Sequence, residues 1–173
     1  MFAIQTNLYF DINKELHQKN EEPERILALC NRKEDALAIA DLIDHLWIRT
    51  SQKQHEASNY WKPLNDTQVV IRPRVYKIES NEVEISQSFG MATNLYFDIE
   101  GELWYDYHTN PSNIIAIFDR KEDADAVAAH IEYLWLKTIE KRVNEPNQSI
   151  TTEAKSIYGK AIPIVIKEFE IPK

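Results

Sequence analysis

The chain has 173 residues, 43% of them hydrophobic and 28% charged, and carries a net charge of −8 at pH 7. This is the composition of an ordinary globular protein, long enough to bury a sizeable core. Eleven Lys and Arg stand against fourteen Asp and Glu in residues 1–87, and nine against fourteen in residues 88–173. A surface acidic in both halves repels nucleic acid unless a basic patch overrides it, and the sequence shows no such patch, so DNA and RNA are not expected partners.

No stretch approaches the roughly 20 apolar residues that cross a bilayer, so no membrane association is expected. The opening Met-Phe-Ala-Ile-Gln-Thr-Asn has neither the basic nor the apolar region of a secretory signal. A single cysteine, Cys30, excludes an internal disulfide framework and suits a reducing compartment. The expected location is cytoplasmic.

In chain order, Leu8, Phe10 and Ile12 alternate with Tyr9 and Asp11, which predicts a strand with one apolar face. Asn13-Lys14 then turns the chain. Ile26-Leu-Ala-Leu-Cys30 is a continuous apolar run of the kind found in strands buried on both faces. Within it, Cys30 reads as a small core residue rather than a nucleophile. A helix follows over 32–50, with Asn31 as its cap and Glu34 placed to reach back in a capping box. Ala36, Ile39, Ala40, Ile43, Leu46 and Trp47 recur at helical spacing and predict one buried stripe. Residues 51–68 form a polar connection to a strand at Val69–Ile78, which Pro73 places at a sheet edge or bulges there. Ser80-Asn81 turns the chain into a short Glu82–Ile85 strand, and Ser86–Ala92 reads as a link.

The pattern then starts again. Thr-Asn-Leu-Tyr-Phe-Asp-Ile occupies 6–12 and recurs at 93–99. Glu100-Gly101 replaces Asn13-Lys14, and Ile114–Phe118 replaces Ile26–Cys30. Residues 119–138 answer 31–50, with Asp119 as cap and Trp135 in the place of Trp47. The final strand is Ile162–Ile171, with Pro163 near its start. Blocks offset by 87 and then 88 positions define a tandem duplication of a unit of roughly 85 residues. The expected fold is α+β: two ββαβ units, 1–87 and 88–173, packed about a pseudo-twofold axis into one compact body.

Catalytic signatures are missing. Gly90, Gly101 and Gly159 are too scattered for a phosphate loop or a dinucleotide fingerprint. The sequence contains no Gly-x-Ser-x-Gly elbow and no His-Glu-x-x-His helix. Asp41 and His45 share a helix face, but two ligands make a solvated surface rather than a metal site, and the second copy has Ala129 and Tyr133 there. No metal or organic cofactor is expected, and no catalytic residue is assigned.

One segment differs between the copies in a suggestive way. Glu102-Leu-Trp-Tyr-Asp-Tyr-His108 is aromatic where Glu15-Leu-His-Gln-Lys19 is not. As a strand it would place Leu103, Tyr105 and Tyr107 on one face and Trp104, Asp106 and His108 on the other. The plainer reading packs both faces into the protein. The functional reading makes Trp104, Tyr105, Tyr107 and His108 a binding surface, because Tyr and Trp dominate protein interfaces. Tyr60-Trp61 invites the same two readings. The expected function is therefore non-catalytic binding of another protein. The alternative is a small-molecule site or small active site in the groove between the repeats.

Overall fold

The computed structural model describes residues 1–19, 25–57, 74–77, 87–106, 113–144 and 165–170. The first half contributes β1 (Phe2–Thr6), β2 (Leu8–Phe10), β3 (Leu16–Gln18), β4 (Arg25–Cys30), α1 (Lys33–Ala57) and β5 (Arg74–Lys77). The second contributes β6 (Gln87–Ala92), β7 (Leu95–Phe97), β8 (Leu103–Tyr105), β9 (Ile114–Phe118), α2 (Lys121–Asn144) and β10 (Val165–Glu170). The class is α+β. Six strands form one sheet in the order β10-β6-β9-β4-β1-β5, and β2-β3 and β7-β8 form two separate hairpins.

Every pairing in the large sheet is antiparallel. Because β1 pairs with both β4 and β5, those two run parallel with β1 between them, and α1 makes the crossover. The halves of the chain join at the sheet centre. There Leu29 pairs with Ile117, Ala28 with Phe118, and Cys30 with Ala116. The register slips between Ile4 and Gln5, leaving Leu27 as the extra residue of β4. It slips again between Met91 and Ala92, leaving Ile115 as the extra residue of β9. A bulge bends its strand, and both extra residues are buried in the main core.

That core lies between the sheet and the two helices. Ala36, Ile39, Ala40, Ile43 and Trp47 of α1 meet Ala124, Val127, Ala128, Ile131 and Trp135 of α2 over Ile4, Ala28, Cys30, Met91, Ala116 and Phe118. Each fully buried Ile contributes about 2 kcal/mol of hydrophobic stabilisation, so this stripe anchors the helices better than any cap. A smaller cluster, Ala3 and Leu29 with Ile26 and Ile117 at its margin, lies on the opposite sheet face. Burial pushes the Cys30 thiol far up, helped by the Asp35 carboxylate. No helix of the described residues is long and apolar enough to cross a membrane.

Several expectations require correction. Ser86–Ala92 is no link: Gln87–Ala92 is β6, paired on both sides. Its counterpart β1, Phe2–Thr6, likewise carries no strand signal in its sequence. Both strands sit inside the sheet and mix small and polar residues with apolar ones, so Ala3, Thr6 and Ser88 are buried alongside Ile4 and Met91 and no clean alternation survives. Each half thus carries four strands before its helix, not two.

The helix caps differ too. The first helical carbonyls to accept are those of Arg32 and Arg120, from Ala36 and Ala124 N–H. Asn31 instead donates to the Ile114 carbonyl, and Asp119 accepts from Arg25. Glu34 and Glu122 pair with Arg32 and Arg120. β5 and β10 are the outermost strands, as the flanking prolines predict. The segments around Tyr60-Trp61 and Glu82–Ile85 lie outside the described residues.

Candidate functional site

The two repeated sequence blocks meet across the halves of the chain. Asp123, in the first turn of α2, accepts the Phe10 main-chain N–H of β2 at 2.8 Å. Arg120 donates to the Phe10 carbonyl at 3.2 Å. Asp35 of α1, and Arg32 just before that helix, do the same for the N–H and carbonyl of Phe97 on β7, each at 3.1 Å. An acid and a base thus stand in for the neighbouring strand that each hairpin lacks. The arginines also lie over Tyr9 and Tyr96, each 5.3 Å from the ring centroid.

Both aspartates are essentially buried. Burial raises the carboxyl of Asp123, opposed by the charge of Arg25 and the Phe10 hydrogen bond. Burial likewise raises Asp35, opposed by the Phe97 hydrogen bond and Arg32. These four residues were read from sequence only as part of a helix start. The signal that could have found them was the near-identity of the two blocks, which follows if each block packs on the other.

The hairpins present side chains outward. Asp11 Oδ1 accepts the N–H groups of Asn13 and Glu15, and Asp98 Oδ1 those of Glu100 and Glu102. Lys14 takes φ 62° and Gly101 φ 77° at matching turn positions, where glycine fits without the steric penalty a side chain carries. This turn throws the next residue out. Ile12 is 85% exposed and Ile99 90%, which corrects the expectation that Ile12 continues the apolar face of its strand.

The second Asp oxygen grips a ring. Asp11 Oδ2 meets His17 Nε2 at 3.0 Å, and Trp104 Nε1 donates to Asp98 Oδ2 at 2.7 Å. Hydrogen bonding to the Glu15 N–H holds the Asp11 carboxyl below its ordinary range. For Asp98, burial acts upward, but hydrogen bonds from Glu102, Trp104 and Glu100 outweigh it together and lower the carboxyl. His17 stacks on Tyr9 at 5.6 Å. On the other hairpin, Arg142 of α2 lies 3.8 Å above the Trp104 ring.

Of the sequence-predicted binding residues, Trp104 is 37% exposed and Tyr105 is half-buried. Leu103 points into the core, so the expected two-faced strand is present through Tyr105. Tyr107 and His108 lie outside the described residues. Asp11, Glu15 and His17 come together with ligand atoms within 4.8 Å. However, both Asp11 oxygens are already engaged in the turn and with His17, so the cluster reads as a hydrogen-bond network.

A groove runs between the helices. Leu46 and His130 are shared by two cavities of about 690 and 320 Å³, the larger walled by Leu42, His45, Tyr133 and the Glu100-Gly101 turn, the smaller by Phe10, Lys14 and His17. Burial and the nearby Lys14 charge lower the His130 pKa, which favours its neutral form. His45 Nδ1 is 2.8 Å from the Asp41 carbonyl, its own helix neighbour. Compared with known families, curated proteins and solved structures, the chain matches none.

Proposed function

We propose that this is a non-catalytic protein-binding module of the cytoplasm, built from two copies of one unit, 1–87 and 88–173, fused as a pseudo-dimer. The palindromic strand order and the reciprocal Asp and Arg contacts support the duplication. The observation carrying the function is that each hairpin holds an isoleucine out in solvent, at Ile12 and Ile99, on a turn braced by an aspartate. Rigid exposed apolar groups bind with little ordering cost. On the second hairpin, Trp104 adds an aromatic anchor fixed by Asp98 and Arg142, so the binding surface centres on Ile99, Trp104 and Tyr105. Tyr107 and His108 continue it in sequence.

The test is co-purification from native lysate with mass spectrometry, comparing the wild type with Ile99→Ser and Trp104→Ala. A specific partner lost from both variants, with each still folded, supports the reading; a partner profile identical in all three overturns it.

A second reading is a small-molecule site in the inter-helix groove, favoured by the cavity of about 690 Å³, which is within the usual range for ligand sites. His130→Leu abolishing a ligand-induced rise in melting temperature would favour it.

A further inference from the structure

One position separates the two ends of the molecule. Arg25 on β4 extends its guanidinium to the other half, where Nη1 donates to Asp119 at 2.8 Å and Nη2 to Asp123 at 2.5 Å and to the Leu8 carbonyl at 3.2 Å. The matching position 88 residues on is Asn113, short and uncharged. The surrounding residues are otherwise repeated: Asp35 for Asp123, Arg32 for Arg120, Leu95 for Leu8, with Asn31 in place of Asp119.

Where Arg25 fills its site, the counterpart is a cavity of about 510 Å³, walled by Asp35, Asn31, Leu95, Tyr96, Asp106 and Asn113. The Asp35 side chain is only 2% exposed, and Arg32 approaches it no closer than 3.8 Å while lying over Tyr96. Asp106 replaces Lys19 of the first half, adding a carboxylate to the wall. Among the described lining residues the carboxylates are Asp35 and Asp106 and the cation is Arg32. A buried carboxylate in such surroundings is stabilised by a cation with several N–H donors.

We infer that this cavity is a guanidinium-binding site, taking from outside the group that Arg25 supplies internally in the other half. Planar N–H donors match a carboxylate and a carbonyl together, which a compact ammonium does less well. The guanidinium comes either from a small molecule or from an arginine side chain of a polypeptide. The site shares β7 with the Trp104 hairpin but is lined by none of Ile99, Trp104 and Tyr105, so its failure would leave the reading of those three residues untouched.

The experiment is a titration of the full chain, followed by amide shifts in ¹⁵N-correlation spectra. The probes are agmatine, a capped Gly-Arg-Gly peptide and butylammonium. Expected are saturable shifts at Leu95, Tyr96 and Asp106 with agmatine or the peptide, at a dissociation constant of roughly 1 mM or tighter. Butylammonium should bind at least several-fold more weakly. Agmatine as tight as the peptide indicates a small-molecule source, and a clear preference for the peptide indicates a polypeptide. Asn113→Arg should fill the cavity from within, raise the melting temperature and weaken agmatine at least tenfold. Asp106→Asn should weaken it several-fold and provides a second, milder variant. No saturable shift with either guanidinium probe, equal binding of butylammonium, or binding undiminished in both variants would overturn the assignment.

Discussion

Asp123 and Phe10 lie 113 positions apart in sequence, yet the carboxylate of one accepts the main-chain N–H of the other at 2.8 Å inside the protein. With its counterpart, Asp35 on Phe97, this bond ties each helix start to the hairpin of the opposite half. The halves are therefore joined by polar contacts as well as by the β4–β9 seam.

The first prediction follows from the unequal partners of the two acids. Asp123 also pairs with Arg25, whereas among the described residues Asp35 meets Arg32 and no second arginine. Asp123→Ala should cost about 3–5 kcal/mol, because it breaks a buried ion pair and leaves the Phe10 amide without its acceptor, while Arg25 keeps Asp119 and the Leu8 carbonyl. Asp35→Ala should cost about 2–3 kcal/mol, the loss of one charge-assisted hydrogen bond. Denaturant unfolding of both variants measures the difference, and equal losses would contradict it.

The pH dependence has a definite sign. Burial raises the folded-state carboxyl of Asp35 above its unfolded value of 3.8. In the window between that value and the raised one, the folded state holds a proton that the unfolded state has released, so stability falls as pH rises through it. The contribution is fully present below the unfolded pKa and gone above the folded one. Asp35→Asn keeps an oxygen for the Phe97 N–H but does not titrate. Its melting temperature, measured from pH 4 upward, should lack part of the decline seen in the wild type. Parallel curves would show that Asp35 titrates normally.

The hairpin tips should separate stability from binding. Ile99→Ser changes a side chain that is 90% exposed and should shift stability by no more than about 0.5 kcal/mol. Trp104→Ala uncovers Arg142 and should cost about 1–2 kcal/mol, between a surface and a core truncation. Against a captured partner, each should weaken binding by about 2 kcal/mol, as interface anchors do. Calorimetric titration with that partner is the measurement, and unchanged affinity in both would remove the hairpin from the interface.

Separating the halves provides a test of the seam. Residues 1–87 alone would leave the β4 edge and the Phe10 N–H without their partners from the second half. Two copies can satisfy both by pairing β4 with β4 about Leu29, in the register that Leu29 now shares with Ile117. Analytical ultracentrifugation of this fragment should show a dimer at micromolar concentration. A folded monomer would mean that the seam is dispensable.

Read alone, the sequence determined the parts whose signal is local. The stripe from Ala36 to Trp47 and its repeat from Ala124 to Trp135 follow from helical spacing, and the runs ending at Cys30 and Phe118 are apolar enough to mark central strands. It also showed that two blocks recur nearly unchanged, though not why. What each polar residue of those blocks touches was left to tertiary structure. Asn31 and Asp119 look like caps by position, but a neighbouring strand and Arg25 claim them; Asp35 and Asp123 are by sequence only part of a helix start, but the opposite hairpin buries them. β1 and β6 hid because a strand covered on both sides can place Ala3, Thr6, Ser88 and Gly90 indoors, which erases alternation. Ile12 and Ile99 were misplaced for the opposite reason. Alternation assumes that the strand continues, but β2 ends at Phe10 and β7 at Phe97, and the aspartate-braced turn takes over before the isoleucine. Hydrophobic periodicity records how often a side chain meets the core along one element, whereas partner choice depends on which elements the sheet brings together, and that is decided only when the two halves meet at Leu29 and Ile117.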